Sequence, residues 1–118
     1  MPTYTTTVRV VLHKDENRKQ PHSPDSEEYE TLHAEMWKRG FRRYYETVKD
    51  ELLKLPPGEY VIDQKGEDRD DARATAYRNS KQAATIATSA SRFSLLVNCS
   101  GSLTSHQLEK ISEDPDAD

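Results

Sequence analysis

The chain has 118 residues, which suits one domain with a modest core, and 33% of them are apolar against 32% charged. Its formal charge of −4 is uneven: five of 21 acidic residues and one of 17 basic residues fall in 105–118, leaving sixteen of each before it. A neutral body with an acidic end argues against strong non-specific nucleic-acid binding, which grows with the phosphates neutralised, but permits a local basic face.

One cysteine, Cys99, excludes an intramolecular disulfide and any CxxC metal site, and its apolar setting reads as a buried thiol. No window approaches the ~18 apolar residues of a membrane span, and the N-terminus lacks the apolar centre of a signal peptide. The expected location is cytoplasmic.

Residues 4–13, YTTTVRVVLH, alternate with period two. Tyr4, Thr6, Val8, Val10 and Leu12 take one face, and Arg9, Val11 and His13 share the other with Thr5 and Thr7, as in a central strand. The polar run KDENRKQPHSPD is a loop. Ser23 and Pro24 then supply a helix cap and a first helical position, and Asp25, Glu27 and Glu28 suit the positive end of the helix dipole. Tyr29, Leu32, His33, Met36 and Trp37 form one stripe at helical spacing, and Gly40 stops the helix. His33 fits the core edge of that stripe.

The run FRRYYETV reads as a second strand, Lys49–Glu51 as a turn, and LLKLPPGEYVID as a returning strand. Val48, Leu52 and Leu55 also have helical spacing, so a short helix over 48–55 is the rival reading. Pro56 and Pro57 donate no backbone hydrogen bond and belong at the start of the third strand, before pairing begins. QKGEDRDD leads into a second helix capped by Asp68 or Asp70. Ala72, Ala76, Ser80, Ala83 and Ala87 line that helix with small side chains that allow close packing on a sheet. Its charges, including Arg69, Asp71 and Arg78, read as a solvated face. RFSLLVNCS alternates as a last strand.

The order β-α-β-β-α-β implies an α+β, ferredoxin-like sandwich: a four-stranded antiparallel sheet with two helices on one face. The expected domain is 1–103, followed by an acidic, disordered tail over 104–118. The uncovered face, with Val11, Val61 and Leu96 as apolar candidates, suggests a homodimer.

The segments TTTVRVVLHKD, YETLHAEMWKRGF and LPPGEYV resemble the GhoS-like endoribonuclease antitoxins of type V toxin–antitoxin systems. The shared pattern is a strand ending in His, a helix ending L-H-x-x-M-x-x-x-G-F, a hairpin, and L-P-x-x-E-Y, across about residues 4–63. The resemblance implies a ferredoxin-like fold akin to a family of CRISPR-associated nucleases, and cleavage of a toxin messenger with little or no need of metal. The long loop at 14–24 and the acidic tail depart from the pattern.

Within that expectation, His13 and Asp15 are the candidate catalytic residues, because imidazole shuttles protons near neutral pH and a carboxylate lies near this strand end in the related nucleases. Arg9, Arg39, Arg42, Arg43 and Tyr45 are the candidate contacts to single-stranded RNA, with Lys38, Tyr44 and Arg92 nearby. Guanidinium groups fork onto phosphates and tyrosines stack on unpaired bases. No cofactor, metal site or membrane partner is expected. The alternative is a non-enzymatic, homodimeric binding or regulatory protein of the same fold.

Overall fold

In the computed structural model, residues 2–23, 26–89, 92–99 and 107–117 are described. The elements run β1 (Thr3–Leu12), α1 (Glu27–Lys38), β2 (Tyr44–Glu46), β3 (Leu52–Lys54), β4 (Glu59–Lys65), α2 (Arg69–Ala87), β5 (Phe93–Cys99) and β6 (Lys110–Ile111). β1 is central, as its long alternating run predicts. It pairs antiparallel with β4 through Thr7↔Val61 and with β5 through Val8↔Val97. Its even-numbered residues supply Val8, Val10 and Leu12 to the core, against Leu32 and Met36 of α1 and Ala76, Ala83 and Ala84 of α2. The small-residue stripe of α2 is buried at Ala72, Ala76, Ser80 and Ala83, and the Ser80 hydroxyl donates to the Ala76 carbonyl at 2.7 Å. Asp68 caps α2, its carboxylate accepting from the Asp71 amide at 2.8 Å.

α1 starts later than the sequence suggests. Its first residue is Glu27, behind Ser26, whose amide already donates to the Ser23 carbonyl in a preceding turn. The expected Pro24 position lies outside the described residues. The other end follows the glycine signal closely. Gly40 adopts φ +94°, its amide reaches the Trp37 carbonyl, and the Phe41 amide reaches the Met36 carbonyl, which together close the helix in a Schellman motif.

The α+β class holds, but a single four-stranded sheet does not form. The strands divide into two antiparallel sheets, ordered β4-β1-β5 and β2-β3-β6. Among the described residues, Arg42 alone joins the second-strand segment to the first sheet by backbone pairing, through bonds with Val61 at 2.8 and 2.9 Å. Beyond it the chain folds onto itself. Tyr44–Glu46 pairs with Leu52–Lys54, the Leu55 amide donates to the Arg43 carbonyl, and Asp50 takes a left-handed conformation (φ 62°) in the turn. The helical alternative over 48–55 is thus excluded.

The cause is the Pro56–Gly58 segment. The prolines offer no donors to a ladder, and Gly58 turns at φ +84° with its carbonyl accepting from the Val10 amide at 2.8 Å. A Cβ on Gly58 would lie 2.8 Å from the Val10 carbonyl oxygen. The returning strand is therefore cut in two: β3 serves the hairpin and β4, starting at Glu59, serves the main sheet.

The acidic end, expected as a disordered tail over 104–118, lies against the fold over its described residues, 107–117. β6 adds to the free edge of β3 through Leu52↔Ile111 and Leu53↔Lys110, and the Lys54 amide donates to the Glu109 carbonyl at 2.8 Å. The boundary placed at 103/104 lies outside the described residues.

The sheet face away from the helices carries mostly polar cross-strand pairs. Thr5 donates to Asp63 at 3.2 Å and Arg9 stands 3.9 Å from Glu59. Of its apolar candidates, Val61 is only 9% exposed, Val11 is partly buried and Leu96 is 68% exposed. Cys99 is partly buried at the end of β5.

Candidate RNA interface

The Schellman turn at the end of α1 delivers Arg42 and Arg43 next to Trp37. Arg42 Nη1 donates to the Trp37 and Phe41 carbonyls at 3.0 and 2.9 Å, and its guanidinium carbon lies 4.7 Å from the centre of the indole ring. The Trp37 carbonyl belongs to the last turn of α1, so the arginine also adds to the hydrogen bonding of the helix end. Arg43 makes the closest ion pair of this region: Nε donates to Asp116 Oδ2 at 2.7 Å and Nη2 to Asp116 Oδ1 at 2.6 Å. Burial works against the charge on Arg43, and the Asp116 carboxylate outweighs it, so its pKa is raised. Asp114 completes the cluster, accepting from the Trp37 indole N–H at 3.0 Å and standing 3.4 Å from Arg42 Nε. Arg42 and Arg43 are therefore adjacent guanidinium groups, each facing a carboxylate.

Where the chain leaves β4 after Arg42, it opens a groove of about 990 Å³ between the hairpin and the β4 edge. Tyr44 and Tyr45 line it from the hairpin, and Val61 and Ile62 from β4. Glu46 and Asp63 also border it, so its charge is mixed. The two tyrosines are successive strand residues, and their side chains point to opposite faces of β2. Single bases stacking on them would approach from different sides.

The other sequence candidates lie apart from this cluster. Arg39 is tied back to its own helix, with Nη1 2.9 Å from both the Glu35 carbonyl and Glu35 Oε1. Lys38 shares that carboxylate at 3.0 Å, and the bonds from Arg39 and Lys38 hold Glu35 below its usual carboxylate range. Arg9 projects from the uncovered sheet face beside Glu59. Arg92 is exposed at the start of β5, where its carbonyl accepts from the His13 amide.

His13 and Asp15 stand at the far end of β1. Six residues separate His13 from Thr7, the partner of Val61 and so of the Arg42 rung, a span of about 20 Å along an extended strand. One phosphate cannot touch both places. His13 is 8% exposed, with Nε2 3.2 Å from Ser94 Oγ and no partner at Nδ1. Asp15 closes the 14–20 loop, Oδ1 accepting from the Lys19 and Gln20 amides at 3.0 Å each, while the Lys14 amide donates to the Gln20 carbonyl. The Gln20 bond in particular lowers the Asp15 pKa. Asp15 thus has a local structural task, and its ionised form is the one the loop uses.

Two features escaped the sequence reading. His33, expected at the core edge, has a side-chain partner there: Nδ1 lies 2.6 Å from the Tyr60 hydroxyl oxygen, between Tyr29 and Tyr60. Burial, reinforced by the Arg43 charge, lowers its pKa to about 4. Burial raises the Tyr60 pKa, so a protonated phenol faces a neutral imidazole. The second feature is the seating of Asp114 and Asp116 on Trp37, Arg42 and Arg43. Its only sequence signal is the match between two carboxylates spaced by one residue and two neighbouring arginines.

Among the described residues no helix is long and apolar enough to cross a membrane, and no group of three or more His, Cys, Asp or Glu residues is arranged to hold a metal ion. Protein-family models, curated proteins and solved structures yield no match to the chain.

Proposed function

We propose that the chain is a single-stranded RNA-binding protein of the GhoS-like antitoxin type, gripping the RNA backbone at Arg42 and Arg43. The observation that carries this reading is the two-pronged hold of Arg43 on Asp116. A carboxylate held by Nε and Nη2 at 2.7 and 2.6 Å occupies the position in which a guanidinium fork takes a phosphate. Tyr44 and Tyr45 beside the groove supply faces on which unpaired bases stack. Cleavage of a toxin messenger, as the resemblance implies, belongs to His13 in this reading. An RNA bound at Arg42 must then run about 20 Å, several nucleotides, to reach it.

The expected result is salt-sensitive binding of a fluorescent 12-nucleotide oligouridine at low ionic strength. Arg43→Ala should weaken it about tenfold and reduce the salt slope by about one, as loss of one phosphate contact predicts. Fluorescence anisotropy checks both, and equal affinity of Arg43→Ala and the parent would refute the assignment. Incubation of the same RNA with EDTA and with a His13→Ala variant tests cleavage separately: cutting that survives His13→Ala removes His13 from the chemistry.

A second reading, pairing of two copies through the uncovered face, is favoured by the exposure of Leu96. Light scattering of the parent and of Leu96→Glu tests it; a monomeric parent at high micromolar concentration rejects it.

A further inference from the structure

The two carboxylates on the arginines belong to the chain itself, and the way their segment is held differs from the rest of the fold. Residues 109–117 are attached by the two-residue strand β6 and the Lys54 amide on the Glu109 carbonyl, by the Lys110–Glu51 pair at 3.5 Å, and by the contacts of Asp114 and Asp116. Ile111 is the only apolar side chain larger than alanine or proline in that stretch, and it is only partly buried. Charge therefore supplies much of the attachment. The Asp116 amide donates to Asp114 Oδ1 at 2.9 Å, which fixes the turn so that both carboxylates face the basic cluster together. Their side chains are 15% and 11% exposed, so two negative charges are largely withdrawn from water onto two positive ones.

We propose that this segment is an autoinhibitory strap: Asp114 and Asp116 occupy in cis the arginine sites that backbone phosphates of RNA would take, so that strap and RNA bind exclusively. The inference rests on the RNA-binding reading above and adds its regulation. The donors that serve Asp116, Nε and Nη2 of Arg43, are the same donors a phosphate would use, and each carboxylate must leave before a phosphate enters. A segment attached by few apolar contacts opens at low free-energy cost, so local release leaves the core intact. The effective concentration of a tethered competitor is high, and RNA affinity is correspondingly reduced in the intact chain.

Trp37 is the only tryptophan, and its indole N–H bonds Asp114, so one NMR cross-peak reports strap occupancy. The experiment compares the full chain, the full-length Asp114→Asn/Asp116→Asn variant, and a chain ending at Ser112, which retains β6. Titration of 12-nucleotide oligouridine should show at least tenfold tighter binding by both variants. In the parent, RNA should move the indole peak toward its position in the chain ending at Ser112. Equal affinity of all three forms, or an indole peak that stays fixed while RNA saturates the parent, would overturn the strap. If no form binds RNA above the level of Arg42→Ala/Arg43→Ala, the RNA reading itself fails, and inorganic pyrophosphate replaces the oligonucleotide as probe. Tighter pyrophosphate binding by the Asn variant then upholds competition at the arginines, and equal binding overturns it.

Discussion

Phe41→Ala is expected to lower the unfolding free energy by about 4 kcal/mol, the range for removing a fully buried phenylalanine and leaving a cavity. Phe41 is 1% exposed and sits in the cluster formed by Leu32, Met36, Val8 and Tyr60. Its place in the chain makes the effect more than a packing loss. Its amide completes the Schellman motif on the Met36 carbonyl, and the next residue is Arg42, bridged to Val61. The phenyl ring thus anchors the turn that brings both arginines to Trp37. Against a typical total of about 5–15 kcal/mol, the variant should remain folded only marginally. Urea unfolding followed by circular dichroism checks this, with a midpoint shift of about 2 M at unchanged slope. Phe41→Leu retains most of the apolar area and should cost distinctly less. A loss below about 1 kcal/mol in Phe41→Ala would show that this turn is held by its hydrogen bonds rather than by the ring.

The parts of the fold that were legible in the sequence are those with a repeating local cause. The alternation of β1 and β5, the stripe Tyr29–Leu32–Met36 and the small-residue stripe of α2 each repeat over several turns or pleats, and each appears in the core as expected. Gly40 was legible because only a left-handed residue ends the helix that way. The division into two sheets was less visible. It depends on whether Tyr44–Glu46 finds β4 or β3 first, and the proline pair decides this by separating the two halves of the returning strand.

β6 carries no strand signature of its own at two residues, and it forms because β3 has a free edge. The candidate site divides in the same way. Charge type and location identified Arg42 and Arg43, but the ion pairs that occupy them join residues more than seventy positions apart. A count of charges sees such pairs only as neutrality. The 20 Å between the His13 end and the Arg42 rung is likewise a consequence of register, which the sequence states only once β1 and β4 are aligned.

Acidification from pH 6.5 to pH 4 should cost the fold stability through His33, and replacing that residue should flatten the loss. In the folded chain the His33 pKa is lowered from 6.5 to about 4, first by burial and then by Arg43 and Lys54, with Asp116 opposing. The unfolded chain therefore takes up a proton at a higher pH than the folded one. Stability from this group is fully present above pH 6.5 and is lost as pH falls toward 4. The full shift corresponds to about 3 kcal/mol. The ring keeps partial contact with solvent, which screens it, so about 2 kcal/mol is the expected loss.

His33→Asn places an amide near the Nδ1 position that can pair with the Tyr60 hydroxyl, while removing the titration. Its unfolding free energy should be nearly level between pH 6.5 and 4, apart from other groups common to both proteins. Chemical unfolding of the pair at half-unit pH steps measures the difference, and parallel curves would refute the assignment. Asp116→Asn provides an independent sign test. That carboxylate raises the His33 pKa, so its removal should depress the value further and extend the pH window over which stability falls. Direct titration of the imidazole by NMR in the two proteins would resolve the change without reference to unfolding. A higher His33 pKa in Asp116→Asn would mean that the seated carboxylate acts on the imidazole mainly through Arg43, whose positive charge the strap holds in place.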